Sequence, residues 1–127
     1  MGKLLLLSLL FTLAGCSMFV PVIDVSTVAT ETMQKAYRIK VAEINSASKY
    51  PEISARLGSI TAYSCRKGLT DPPPSRGDAL MQLRLNAVAI GADGIKDLAY
   101  NSDSNILFCI NCWDTVQVSG VAVKFQQ

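Results

Sequence analysis

The sequence predicts an α+β domain: a small, mainly antiparallel sheet of about four strands packed on one main helix, with cysteines for a single disulfide staple. Three observations carry that prediction. Residues 114–125, DTVQVSGVAVKF, alternate apolar and polar side chains as a half-buried strand does. Residues 78–90 place Leu80, Leu83, Ala87 and Ile90 at steps of three and four, which puts them on one helical face. The candidate elements run strand, strand, helix, strand, strand, an order that suits a layer of strands covered by one helix.

The chain opens with MGKLLLLSLLFTLAG, in which Lys3 precedes a run from residue 4 to 13 without a charged side chain. Such a run is roughly half the length needed to cross a bilayer, so it is expected to be a secretory signal and not an anchor. Leu13-Ala14-Gly15-Cys16 matches the lipobox of bacterial lipoproteins, in which small residues admit a signal peptidase and the Cys thiol takes a thioether-linked diacylglycerol. One acyl chain binds a membrane only marginally and stable attachment takes two, so a lipidated Cys16 would hold the chain firmly. Enterobacterial lipoproteins use Asp after the modified Cys for inner-membrane retention. Ser17 stands there, which points to the outer membrane, with the domain facing the periplasm.

The expected organisation is a signal peptide over 1–15, a tether over 16–36 and a folded domain over 37–127. The tether, SMFVPVIDVSTVATETMQKA, is mixed and rich in Ser and Thr, and its Val and Thr content leaves room for an edge strand or a short helix. Residues 38–41 and 57–63 alternate as strands do. Between them lie a polar connection over 45–51 and a single turn over 52–56. Asp71-Pro72-Pro73-Pro74-Ser75 is a stiff loop, and Ser75 or Asp78 can cap the helix that follows, which Gly91 stops. On that helix Gln82, Arg84 and Asn86 fall away from the centre of the apolar face. Residues 94–100 supply a third strand. In the last strand the apolar phase changes at Gly120, the mark of either a bulge or a close approach by another backbone.

The absence of His removes the commonest general base and transition-metal ligand. Asp93, Asp97 and Asp103 are spaced as solvated positions, so no catalytic dyad emerges and an enzyme is not expected. The net charge of +2 comes without a basic run, which leaves out the footprint of a nucleic-acid binder. With Cys16 committed to lipid, Cys65, Cys109 and Cys112 remain, enough for one disulfide and one odd thiol in an oxidising compartment. Two rival uses exist. Cys109-Ile110-Asn111-Cys112 has the C-x-x-C spacing of thiol oxidoreductases, although no strand-to-helix context surrounds it. All three thiolates together could meet a soft ion such as Cu(I) or Zn(II), as an incomplete site. Trp113 beside Cys112 can pack on a disulfide or, exposed, anchor a partner.

From residue 38 onward the chain resembles the RcsF family of outer-membrane lipoproteins, the envelope-stress sensors of the Rcs phosphorelay. The resemblance rests on Arg38-Ile39 with Ala42-Glu43, Leu57-Gly58, Ser64-Cys65, Pro73-Pro74-Ser75, Ala79, Asn86-Ala87-Val88, Cys109, Cys112 and Gly120, in order and spacing together. It implies a small sheet on a helix. It also implies a non-enzymatic sensor without cofactors beyond its lipid, binding outer-membrane barrel and assembly proteins and an inner-membrane regulator. That family makes two disulfides from four cysteines. Here Val118 occupies the position of the fourth, so the resemblance implies a Cys65–Cys112 bond and leaves Cys109 as a free or alternative thiol. Chain entropy agrees, since closing the long loop is worth about 4 kcal/mol against about 2 for Cys109 to Cys112. The family's known sensors carry a longer, Pro-rich tether. The roughly 20 residues here span at most about 70 Å. A thiol- or metal-handling lipoprotein and a purely structural one are the alternative readings.

Overall fold

A computed structural model describes residues 21–43, 49–66, 68, 70–101, 112 and 114–127. The signal peptide, Cys16, Asp103, Cys109 and Trp113 lie outside the described residues. After a 3-10 turn at Val25–Thr27 the elements are α1 (Thr30–Arg38), β1 (Lys40–Glu43), β2 (Ile53–Arg66), α2 (Arg76–Ala89), β3 (Gly94–Asn101) and β4 (Asp114–Phe125). The four strands form one sheet in the order β1-β3-β4-β2. Its β2–β4 and β3–β4 pairs are antiparallel, and β1 and β3 run parallel at one edge. This is the α+β arrangement that the element order predicts. No helix among the described residues is long and apolar enough to cross a membrane.

The core forms where α2 lies on the sheet. Ala79, Leu83 and Ala87 of the helix meet Ala62, Ile95, Leu98, Val118 and Ala122 of the strands. Alanines on both surfaces let helix and sheet approach closely. Leu83, Ile95 and Val118 are fully enclosed, each contributing roughly 1.5–3 kcal/mol by leaving water. Both ends of α2 are closed locally. Ser75 is the N-cap, its hydroxyl accepting from the Asp78 amide at 3.1 Å. At the other end Gly91, at φ 75°, donates to Val88 and Ala92 donates to Ala87, a Schellman ending that only a residue tolerant of positive φ allows without strain.

Several predicted boundaries and faces are corrected. The 52–56 turn is absent, because β2 begins at Ile53 and the Gln126 amide extends its pairing by donating to Glu52. This early half of β2 carries exposed side chains and shifts register around Ser54 and Leu57, so its alternation is broken. The strand predicted at 38–41 starts two residues later because α1 continues through Arg38. Ile90, placed on the apolar stripe, is 47% exposed beyond the end of α2, and Ala79 takes part in its stead. Gly120 is not itself bulged. The bulge lies opposite it in β3, where Asp97 takes φ 55°, and the register moves from Lys96–Val121 to Ala99–Ser119. A Cβ on Gly120 would come within 2.5 Å of Ile95 Cγ2 and 3.1 Å of the Lys96 carbonyl, so close approach is what selects glycine.

Part of the segment assigned to the tether is folded. Within residues 21–36 lie the 3-10 turn and most of α1, which packs on α2 and buries Ala36 completely. Helix, the minor option left open by the composition of this segment, is what forms.

Candidate functional site

β2 delivers two adjacent residues to opposite faces of the sheet, and each closes a different contact. Ser64 faces the helix layer and is 2% exposed. Its hydroxyl donates to Asp78 Oδ2 at 2.7 Å and accepts from the Ser75 amide at 3.1 Å, which ties the first turn of α2 to the strand. By alternation Cys65 points to the other face, where its sulfur is bonded to Cys112 across a Cα–Cα distance of 5.4 Å. Cys112 sits two residues before β4, and Cys65 pairs with Thr115, so the bond lies at the end of the β2–β4 ladder. The bond closes a 47-residue stretch of chain that contains α2 and β3.

The three polar residues assigned to the outer part of α2 all dock other elements. Gln82 is 3% exposed, and its side-chain amide mimics a strand. Oε1 accepts from the Ile23 amide at 2.8 Å and Nε2 donates to the Ile23 carbonyl at 2.7 Å. Arg84 Nη1 donates to the carbonyls of Tyr37 at 3.1 Å and Ala36 at 3.4 Å, placing a cation at the negative end of α1. Asn86 donates to the Thr61 carbonyl on β2. The sequence signal for these roles is slight. Gln82 and Asn86 follow the buried Ala79 by three and seven positions, on the flank of the apolar stripe.

An open cleft of about 610 Å³ lies between the end of α1, the α2–β3 turn and the last residues of the chain. Lys35, Arg38 and Lys40 supply cations, Val88 and Phe125 supply apolar wall, and Asp93 supplies one carboxylate. Asp93 Oδ2 accepts from the Phe125 amide at 3.0 Å, so that carboxylate holds down β4. Lys35 also pairs with Glu31 at 3.0 Å. Three cationic side chains against one side-chain carboxylate make the cleft more favourable to anions than to cations. Asp97, the other described aspartate of the predicted trio, occupies the β3 bulge with Lys96 Nζ 3.8 Å away.

Two tyrosines have raised pKa values. Burial pushes the Tyr50 phenol up to about 12. Its hydroxyl donates to the Lys40 carbonyl at 3.3 Å, and its ring meets Phe125 edge-on at 5.2 Å between centroids. Tyr100 is raised by burial and then by the Glu43 carboxylate, against the lowering pull of Arg76 and Arg84. The Arg76 guanidinium carbon stands 4.9 Å from its ring centroid, a cation–π contact.

The predicted site residues are therefore brought together in part. Cys65 and Cys112 are joined. Cys16 and Cys109 fall outside the described residues, and among those residues no group of three or more His, Cys, Asp or Glu could hold a metal ion. No protein-family model matches this sequence, and no curated protein matches it.

Proposed function

We propose that this chain is an outer-membrane lipoprotein that acts as a non-enzymatic envelope-stress sensor, anchored through lipid on Cys16 and signalling by binding protein partners. The observation that carries the anchor is Leu13-Ala14-Gly15-Cys16 directly after a short uncharged apolar run. The sensor role rests on the resemblance to the RcsF family, and the α+β fold with its Cys65–Cys112 bond is in keeping with it. In this reading, damage to the surface layer or to outer-membrane assembly frees the domain to engage an inner-membrane regulator of a phosphorelay. Outer-membrane barrel and assembly proteins are its resting partners. A disulfide-bonded domain suits a periplasmic address. The alternative is a thiol- or metal-handling lipoprotein using Cys65, Cys109 and Cys112; a three-thiolate metal site would need Cys65 and Cys112 reduced, and here they are bonded to each other.

Peptide mass spectrometry of the non-reduced protein from membranes tests the anchor and the pairing together. The expected result is a triacylated residue 16 and a Cys65–Cys112 cross-link. An unmodified Cys16 refutes the anchor. For the signalling step, raising the level of the full chain should activate a phosphorelay reporter, and Cys16→Ser should change that response by releasing the domain. A reporter indifferent to both refutes the sensor reading.

A further inference from the structure

We infer that residues 21–28 are a releasable strap, clamped on α2 by Gln82, that sets how far the folded domain can stand from the membrane. The inference rests on the reading of Cys16 as the lipid anchor and adds a control of reach to it. Gln82 takes both the N–H and the C=O of Ile23, 59 positions away in sequence, at 2.8 and 2.7 Å. With that clamp closed, about seven residue steps separate the anchored Cys16 from a point fixed on the domain, a reach of at most about 25 Å. With it open, the next point held on the domain is the start of α1 at Thr30. That point lies about fourteen steps from Cys16, a reach of at most about 50 Å.

The strap is only lightly buried. No residue from 21 to 35 is fully buried, and Ile23 itself remains 38% exposed. Its 3-10 turn carries local bonds of its own. Asp24 Oδ1 accepts from the amide and the hydroxyl of Ser26, and the Asp24 carbonyl accepts from the Thr27 amide and hydroxyl. That turn does not depend on Ile23, and it must open as well before the segment reaches its full extended length. The first buried residues are Ala36 and Ile39, so α1 stays on the domain and marks where the released segment ends. Gln82 is 3% exposed with the strap in place, and the Ile23 backbone partners both ends of its amide. Release therefore requires water to take over those two bonds. A pull on the anchor, or a partner that takes up the extended segment, would shift the balance between the two lengths.

The test uses the full mature lipoprotein on a supported phosphatidylethanolamine–phosphatidylglycerol bilayer, with Gln82→Ala and Ile23→Pro beside the wild type. Ile23→Pro removes the strap's own donor and leaves the α2 surface intact, so it decides the matter if Gln82→Ala disturbs the fold. Hydrogen exchange should find the Ile23 amide protected in the wild type and about tenfold or more faster in Gln82→Ala, with the core Val118 amide unchanged. Neutron reflectometry should find the domain within about 25 Å of the bilayer in the wild type and spread toward about 50 Å in both variants. A wild-type Ile23 amide that exchanges as in an unfolded chain overturns the clamp. A gap that does not grow in either variant overturns the control of reach. Failure of the wild type to attach to the bilayer at all overturns the anchor reading instead, and the exchange result then stands for the clamp alone.

Discussion

Removing the Cys65–Cys112 bond is the perturbation whose magnitude follows most directly from the structure. The bond spans 47 positions, and chain entropy puts the stabilisation from closing such a loop at about 4 kcal/mol. Small domains commonly have total stabilities of about 5–15 kcal/mol, so this one bond is a large share. At roughly 4–8 °C per kcal/mol for a domain of this size, Cys65→Ala with Cys112→Ala should lower Tm by roughly 20 °C. The ladder that the bond terminates is otherwise continuous from Ser59 to Arg66, so the oxidised and mutant proteins should share far-UV circular dichroism at low temperature. The assay is thermal unfolding of the oxidised mature protein followed by circular dichroism. Single variants sharpen it. Cys65→Ala should be as damaging as Cys112→Ala, while Cys109→Ala should change Tm little. A drop of less than about 5 °C in the double variant, or a Cys109→Ala effect as large as that of Cys65→Ala, would refute the assignment of stability to the long loop.

Gly120→Ala should cost about 1–3 kcal/mol in urea unfolding, because its Cβ would press on Ile95 Cγ2 and the Lys96 carbonyl, neither of which is a flexible chain end. Replacing Arg84 by Met keeps most of its bulk but removes the cation and donors at the end of α1, and should cost about 1 kcal/mol. Amide exchange should then quicken in α1 before it does in β4. For Tyr50 the folded pKa of about 12 lies above the ordinary 10, so both folded and unfolded chains are protonated below pH 10 and this group gives stability no pH dependence there. Between pH 10 and about 12 the unfolded chain ionises first, so stability should fall as pH rises through that window. Tyr50→Phe should flatten the decline measured by denaturant titration at each pH.

Local pattern made α2 and β4 legible in the sequence. The 3.6-residue period from Leu80 to Ala87, the capping Ser75 and the stop at Gly91 are short-range properties, and so is the alternation of Asp114–Phe125. The proposed lipobox is local too, since a signal peptidase would read it from four consecutive residues. The first half of β2 was illegible because its side chains are exposed on both faces and its strand character comes from pairing with residues 123–125. α1 was legible only as an option, since its one fully buried residue, Ala36, gives almost no apolar period.

The sequence by itself determined the strand, strand, helix, strand, strand order, the main helix and the last strand, because each depends on neighbours a few positions apart. Only the tertiary structure decided that Gln82, Arg84 and Asn86 are docking residues, since their partners lie 59, 47 and 25 positions away and their polar side chains look like any solvated face. It likewise decided that Gly120 answers to a bulge in the neighbouring strand, and that the segment before residue 37 is partly folded. In each case the physical cause is a contact between distant parts of the chain, of which the local pattern holds at most a slight trace.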